Sequence, residues 1–227
     1  MSYLVVVAHP DDEALGVGGI IKKLTSKGNE VNVCILSGDV TVRNFRPSDS
    51  ELNSDLEKAL KILGVNKLYK GEFPNIEFNN VSHLKLVQFI ESVIEETRAK
   101  TVFTHHPSDL NNDHLHTSLA CQAAIRLFQR KSEVPAIEAL YYMEVNSSTD
   151  WSLNTSINPF KPNTFFEIEE DGLKSKLDAL SSYRGVMRSY PHPRSEEAIR
   201  GLAAFRGSQS GLNYAEALEC AFRRTVL

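Results

Sequence analysis

The sequence predicts an α/β protein in which a mostly parallel sheet lies between helices on both faces. Short apolar runs rich in β-branched residues alternate with segments whose apolar residues recur at helical spacing. The first run, residues 3–7, is apolar on both faces, which is typical of a strand covered by helices on both sides. Since 227 residues are enough for one sizeable core, we expect a single domain over residues 1–227.

The elements follow from local signals along the chain. Helix 15–27 stops before Gly28-Asn29 and helix 50–63 stops at Gly64, the usual C-terminal signals. Predicted strands lie at residues 3–7, 31–36, 67–69, 101–104 and 139–143, with an edge strand at 165–168. Further helices are predicted at 84–96, 113–130, 172–183 and 196–206, a long loop at 38–49 and a surface excursion at 151–163. This alternation predicts a three-layer, Rossmann-like fold.

Composition narrows the class of protein. The formal charge of −4 and the pI near 6.0 give no basic surface for nucleic acid. No run of 18 apolar residues occurs, so we expect no transmembrane segment, and the N-terminus lacks the pattern of a signal peptide. Cys34, Cys121 and Cys220 are far apart and form no CxxC pair, which predicts reduced thiols in a cytoplasmic protein.

Two polar clusters follow predicted strands. HPDDE, residues 9–13, follows the first strand, and residues 105–114 follow the fourth. Ligands of open parallel sheets bind outside the carboxyl ends of the strands. If the first and fourth strands are neighbours, as in the strand order 3-2-1-4-5, both clusters face the same crevice.

The two clusters contain the residue types that hold a catalytic metal. His9, Asp12 and His114 supply two imidazoles and a carboxylate, a set that suits zinc, although iron and cobalt also accept it. Asp11 is then free to take a proton from water near the metal, as a general base. The alternative for Asp11, Asp12 and Asp113 is that each caps the helix that follows it.

Two motifs carry a resemblance to a known family. AHPDDE after the first strand, together with the later PSDLNNDHLHTS, resembles the PIG-L or LmbE-like zinc-dependent de-N-acetylases. The C-terminal stretch HPRSEEAIRGLAAFRGSQSGLNYAEALE is similar to that of bacterial members that act on sugars. The resemblance implies that His9, Asp12 and His114 bind Zn²⁺ and that Asp11 is the general base.

The second motif departs from the family pattern at one position. Many members carry a histidine where this chain has Asn111, and that histidine polarises the carbonyl and protonates the leaving amine. Asn111 can donate a hydrogen bond to an oxyanion but cannot deliver a proton. The proton must then come from Asp11 after it has acted as the base, or from another residue, for which His192 is the candidate. The alternative for His192, which lies between two prolines, is that it only fixes its loop. Asp113 is predicted to orient His114 or a neighbouring imidazole.

Other polar residues are predicted to bind substrate or to have structural roles. Family members often use an arginine to hold a sugar hydroxyl, and Leu52 occupies the usual position in this chain. Arg43 is the predicted replacement for substrate binding, with a solvated loop arginine as the alternative. His105 and His106 are predicted to be structural or to support the ligands, and His116 to lie at the surface.

These observations predict an enzyme that uses metal-activated water to remove an N-acetyl or similar N-acyl group from an amino sugar or sugar conjugate. The alternative is a metal-dependent hydrolase or hydratase of a non-sugar substrate on the same scaffold. A non-catalytic metal- or sugar-binding protein is disfavoured because Asp11 is present. The expected partner is a small N-acetylated sugar, and the sequence leaves open whether the protein forms a homo-oligomer.

Overall fold

The computed structural model describes residues 1–38, 47–153 and 158–225. The strands are β1 (Ser2–Val7), β2 (Glu30–Ile35), β3 (Lys67–Lys70), β4 (Thr101–His105), β5 (Ala139–Met143), β6 (Thr164–Glu167) and β7 (Ala215–Arg223). The helices are α1 (Asp12–Ser26), α2 (Asp49–Leu63), α3 (His83–Thr97), α4 (Asn112–Ala124), α5 (Glu169–Ser182) and α6 (Glu196–Ser210), with short 3-10 helices at Phe78–Asn80 and Leu127–Gln129.

The strands form one seven-stranded sheet in the order β3-β2-β1-β4-β5-β7-β6. The first five strands pair in parallel, whereas β7 runs antiparallel to both β5 and β6. The predicted fold class and the predicted neighbours β1 and β4 are therefore confirmed. The carboxyl ends of these two strands meet where the order of strand succession reverses, which is where ligands of such sheets bind.

Successive residues of β1 point to opposite faces of the sheet, and both faces are covered. Val5 and Val7 pack in the core that also contains residues of α1, α2, α5 and α6. Leu4 and Val6 pack in the other core, with residues of α3 and α4. Each helical layer thus buries one of the two alternating sets of β1 side chains. This explains why the sequence of β1 is apolar at successive positions.

Helix α1 is not continuous, because Val17 has non-helical backbone angles. The Glu216 carboxylate of β7 accepts hydrogen bonds from the backbone N–H groups of Gly19 and Ile20, at 3.0 and 2.8 Å. Lys176 of α5 donates to the same carboxylate at 2.7 Å and to the Leu15 carbonyl at 2.7 Å. This buried cluster ties β7, α1 and α5 together behind the site described below.

Two elements differ from the sequence-based expectation. Strand β7 was not predicted, since its Ala- and Glu-rich sequence shows no apolar alternation; pairing with β5 and β6 on either side forms it. The predicted helix 113–130 is too long, because α4 ends at Ala124 and a 3-10 helix follows. Leu127 remains buried beyond the end of α4, so the apolar pattern continues past the end of the regular helix. Within the described ranges, no helix combines the length and apolar character that crossing a bilayer requires.

Candidate active site

A cavity of about 430 Å³ opens at the carboxyl ends of β1 and β4. The turn after β1 contributes His9, Asp11 and Asp12 to its wall, and the first turn of α4 and the residue before it contribute His114 and Asn111. The structure thus brings the two polar clusters of the sequence into a single site. This arrangement follows directly from the pairing of β1 with β4.

The three predicted metal ligands lie together and are buried. Ligand atoms of His9, Asp12 and His114 all lie within 4.8 Å of one another. Asp12 Oδ2 is 3.5 Å from His9 Nδ1 and 3.2 Å from His114 Nε2. His114 Nε2 is buried and, apart from this contact with Asp12, has no hydrogen-bond partner within the described part of the chain. A divalent metal fits these residues, because His114 Nε2, an imidazole nitrogen of His9 and a carboxylate oxygen of Asp12 would hold it beside the cavity.

The ring of His9 is held from its far side by Asp113. His9 Nε2 lies 2.9 Å from Asp113 Oδ2, which leaves Nδ1 on the side of Asp12. The Asp113 carboxylate also accepts hydrogen bonds from the backbone N–H groups of Ile76 at 2.6 Å and Phe78 at 3.0 Å. Burial acts to lower the pKa of His9, but the hydrogen bonds to Asp113 and Asp12 raise it overall. The Asp113 side chain therefore contacts a neighbouring imidazole, His9, and does not cap α4.

The ring of His114 has its own carboxylate partner, Asp109, to which the sequence assigned no role. His114 Nδ1 lies 3.1 Å from Asp109 Oδ2, and Thr149 Oγ1 donates to the same oxygen at 2.8 Å. Burial acts to lower the pKa of His114, but Asp12 and Asp109 raise it to about 10. The only sequence signal for Asp109 was its place in the second cluster, two residues before Asn111.

Asp11 occupies the cap position of α1 with φ 99°, a left-handed conformation that is unfavourable for a residue with a Cβ. Its side chain makes no capping hydrogen bond and instead lines the cavity. Its backbone N–H donates to Glu13 Oε2 at 3.1 Å, and Glu13 Oε1 accepts from the Tyr183 hydroxyl at 2.5 Å. Burial raises the pKa of Glu13 to about 8, against the hydrogen bond from Tyr183. This chain of contacts holds Asp11 in the conformation that faces the cavity.

Arg194 is a second contact of Asp11 that sequence reasoning missed. Its Nη1 lies 3.4 Å from Asp11 Oδ2, and its Nε donates to Ser147 Oγ at 2.7 Å. Arg194 lies in the PHPRS stretch, two residues from the predicted proton donor His192. The place of Arg194 in this stretch was the sequence signal that could have pointed to a role in the site.

Asn111 is the residue that caps α4. The side-chain oxygen of Asn111 accepts a hydrogen bond from the backbone N–H of Asp113 at 2.9 Å. The backbone N–H of Asn111 donates to Asp109 Oδ1 at 2.9 Å. Because the side-chain oxygen is used in this cap, the amide NH₂ is the group that Asn111 can offer to a molecule in the cavity. The geometry therefore suits a hydrogen-bond donor at this position.

The structure does not bring His192 to the cavity wall. Its Nδ1 accepts from the backbone N–H of Arg194 at 3.0 Å, and its ring packs edge-on against Trp151. Partial burial, followed by the charges of Arg194 and Arg188, lowers its pKa. An imidazole whose Nδ1 is bonded to the backbone of its own loop matches the alternative interpretation of the sequence. The proton-donor role of His192 remains a prediction without a contact that supports it.

His105 lies behind His114, whereas His106 packs against Tyr142 and Phe160 and lies 3.4 Å from Glu219. His105 Nε2 accepts from the backbone N–H of Ala8 at 2.9 Å, and its ring stacks on His114 with centroids 3.7 Å apart. Burial and the neighbouring His114 lower the pKa of His105 to about 3. His106 Nδ1 accepts from the N–H of Ser108 at 3.1 Å. His116 is half-buried on α4, and the predicted substrate residue Arg43 lies outside the described residues.

The sequence matches the model of a protein family described as PIG-L, GlcNAc-PI de-N-acetylase, over residues 4–125. The chain belongs to the PIG-L family, as its two motifs predicted. It is 26% identical to the diacetylchitobiose deacetylase of Thermococcus kodakarensis, over 95% of this chain and 81% of that protein.

Two solved structures share the fold. The conserved protein TT1542 of Thermus thermophilus superimposes with a TM-score of 0.80 at 22% identity, over 99% of this chain and 96% of that one. The 4-carboxy-2-hydroxymuconate hydratase of Pseudomonas putida gives a TM-score of 0.78 at 20% identity, over 100% of this chain and 98% of that one. At these identities both similarities establish the fold alone.

Proposed function

We propose that this protein is a zinc-dependent hydrolase that removes an N-acetyl or similar N-acyl group from an amino sugar or sugar conjugate. The observation that carries the proposal is the buried set of His9, Asp12 and His114 at the base of a cavity that Asp11 also lines. Membership of the PIG-L family and the similarity to a diacetylchitobiose deacetylase support the same reaction. Zinc is the proposed metal because two imidazoles and a carboxylate suit it.

When bound, a divalent metal supplies a Lewis acid that polarises the amide carbonyl and makes nearby water more acidic. The residues around it then divide the remaining work. Asp113 and Asp109 hold the rings of His9 and His114 from behind, through contacts of 2.9 and 3.1 Å. Such outer contacts fix the tautomer and the orientation of each ligand.

Asp11 is the proposed general base. Its carboxylate accepts a proton from water as the water oxygen bonds to the acyl carbon. Arg194, 3.4 Å away, and the Glu13 contact to the Asp11 backbone keep the carboxylate in place. The carbon–nitrogen bond then breaks, and Asp11 returns the proton to the departing amine. In this scheme no other side chain has to act as an acid.

Asn111 stabilises the charge that develops on the carbonyl oxygen. Its NH₂ group lies in the cavity wall and is held by the cap that its oxygen makes to Asp113. A fixed neutral donor of this kind stabilises an oxyanion without having to reorganise. Asn111 therefore supports the electrostatic part of the chemistry and leaves proton transfer to Asp11.

The test is acetate release from N-acetylglucosamine and N,N'-diacetylchitobiose by protein that has been stripped of metal and reloaded with zinc. We expect acetate and free amine in equal amounts from the loaded protein, little from the stripped protein, and little from a zinc-loaded Asp11→Asn variant. The alternative predicted from the sequence, hydration of a non-sugar substrate, adds water without releasing an amine. If no N-acylated sugar or conjugate yields amine under any metal, the proposal is wrong.

We also propose a cytoplasmic location, for which the unpaired Cys34, Cys121 and Cys220 are the support. Two of these thiols are buried, and burial raises their pKa, so neither is poised to react. Thiols in this state persist most readily in a reducing compartment.

A further inference from the structure

The segment between β3 and α3 brings a residue with strained backbone to the cavity. Ile76 has φ 62°, in the left-handed region, where a β-branched side chain is sterically disfavoured. Within the described ranges, six residues other than glycine have a positive φ, and Ile76 is the β-branched one among them. Three of the six, Asp11, Ile76 and Ser147, line the cavity. Such conformations cluster at catalytic and ligand-binding sites, so the strain at Ile76 suggests a function for this residue.

Neighbouring contacts hold the backbone of Ile76 in this conformation. Its N–H donates to Asp113 Oδ2 at 2.6 Å, and the same oxygen lies 2.9 Å from His9 Nε2. The N–H of Phe78 donates to Asp113 Oδ1 at 3.0 Å, and the Phe78 side chain is fully buried. On the other side of Ile76, Asn75 is buried as well. These contacts fix the backbone on both sides of Ile76 and leave its side chain at the cavity.

Packing does not explain why this side chain is isoleucine. Ile76 is 46% exposed and belongs to neither of the two cores that the described residues form. Glycine would adopt the same φ without a steric cost. Among the described residues of the cavity wall, Ile76 and Pro47 are the two with hydrocarbon side chains, and most of the others are polar or charged. A bulky aliphatic side chain held in an unfavourable conformation at the wall of a polar cavity points to a contact with a ligand.

We propose that Ile76 contacts an apolar group of the substrate and thereby sets a preference for N-acylated amino sugars that carry such a group near the amide. The inference rests on the proposed function and deepens it. The Asp113 oxygen shared with His9 places Ile76 next to a proposed metal ligand, and hence near the amide that is cleaved. A hydrocarbon group that packs on Ile76 removes apolar surface from water, which favours binding.

The apolar group can belong to the substrate in two ways, and ligand binding distinguishes them. Calorimetry is performed with the zinc-loaded Asp11→Asn variant, in which slow turnover leaves the ligand intact. The reference ligand is the methyl glycoside of N-acetylglucosamine. The methyl glycoside of N-butanoylglucosamine lengthens the acyl chain by two methylene groups, and the propyl glycoside of N-acetylglucosamine lengthens the glycosidic group by the same amount. We expect one of the two to bind about tenfold more tightly than the reference, which is the lower end of what a methylene group contributes in an apolar pocket.

Substitutions at position 76 then locate the preference. In the same Asp11→Asn background, we expect Ile76→Gly to abolish it and Ile76→Leu to keep most of it, because leucine retains an apolar side chain. Zinc content should be unchanged in both variants, since the backbone N–H to Asp113 remains. The unfolding midpoint of Ile76→Gly should not fall, because glycine accepts φ 62°. Leu84→Ala is the matched control and should keep the full preference, because Leu84 is 61% exposed on α3 and is not among the described residues of the cavity wall.

Three outcomes overturn the inference. The first is that neither lengthened ligand binds more tightly than the reference. The second is a preference that Ile76→Gly leaves in place, or that Leu84→Ala removes as well. The third is an unfolding midpoint that falls in Ile76→Gly and recovers in Ile76→Leu, since the side chain would then serve packing. Amine release from the reference sugar by the wild-type enzyme is measured separately, so that a failure of the apolar preference is distinguished from a failure of the proposed reaction.

Discussion

Replacing Asp113 by asparagine isolates the contribution of the carboxylate behind His9. The substitution keeps the shape of the side chain but removes its charge and one of its two acceptor oxygens. In the native protein Oδ2 receives His9 Nε2 at 2.9 Å and the Ile76 N–H at 2.6 Å, while Oδ1 receives the Phe78 N–H at 3.0 Å. An asparagine can keep its oxygen on one of these two sides and must turn its NH₂ group toward the other.

The size of the effect follows from these contacts. If the oxygen stays at His9, the buried Phe78 N–H loses its acceptor, which costs roughly 1–3 kcal/mol of unfolding free energy. Loss of the negative charge also makes His9 a weaker ligand, and changes to such supporting carboxylates typically lower metal affinity by about 10- to 100-fold. If the oxygen turns to Phe78, the Ile76 N–H and His9 Nε2 both face the NH₂ group, so the loss of metal affinity is larger and the stability loss is no smaller.

The assay is the zinc dissociation constant, measured by competition with a chromogenic chelator, together with urea unfolding of the metal-free protein. Asp178→Asn is the matched control, because Asp178 is exposed and its ion pair within the described ranges is with Lys174, one turn away on α5. We expect the control to match wild type in both measurements. Zinc affinity for Asp113→Asn within twofold of wild type would refute the assignment of Asp113 as the residue that orients His9.

Three further substitutions test other parts of the site and its support. Asp11→Asn should keep its zinc and lose about 10²–10⁴ in turnover, as expected for removal of a general base; loss of zinc in elemental analysis of the folded variant would make Asp11 a ligand. Asn111→Ala should lower kcat by roughly 10²–10³ through loss of an oxyanion donor, and should lower stability by about 1 kcal/mol through loss of the α4 cap. An unchanged kcat for the folded variant would remove Asn111 from the chemistry. Lys176→Met should lower the free energy of unfolding by about 3–5 kcal/mol in urea titrations, because Glu216 is left buried and unpaired. Lys174→Met, on the exposed face of α5, should change it by less than about 1 kcal/mol, and equal effects would contradict the reasoning.

The helices and parallel strands were predictable because their signals are local. Gly64, for example, takes φ 79° at the end of α2, and Ser48 and Glu51 form the capping box that begins it. Strand β7 was not predictable from local signals, because its Glu216 is buried in an ion pair with Lys176, which lies 40 residues away in the sequence. A charged residue in a strand is predicted to be exposed when the sequence does not show which residue pairs with it.

In the candidate site too, contacts between residues close in the sequence could be predicted, and contacts between distant residues were missed. His9, Asp11 and Asp12 lie close together in the sequence and follow one strand, so their proximity in space could be predicted. His114 could be joined to them only through the expectation that β1 and β4 pair. Arg194 was missed because it reaches Asp11 from 183 residues further along the chain. His192 was favoured because an acid was needed, yet its backbone-anchored ring does not line the cavity.

By itself, the sequence determined the α/β class, the order of most elements, the family and the residues with the chemistry of a metal centre. These depend on apolar periodicity, caps and motif spacing, which are properties of neighbouring residues. The tertiary structure alone decided which carboxylate supports which imidazole, Asp113 for His9 and Asp109 for His114. It also decided that the segment after α5 places three arginines in the cavity wall. Such contacts depend on how layers of the fold meet in space, and that meeting is fixed by the packing of the whole chain.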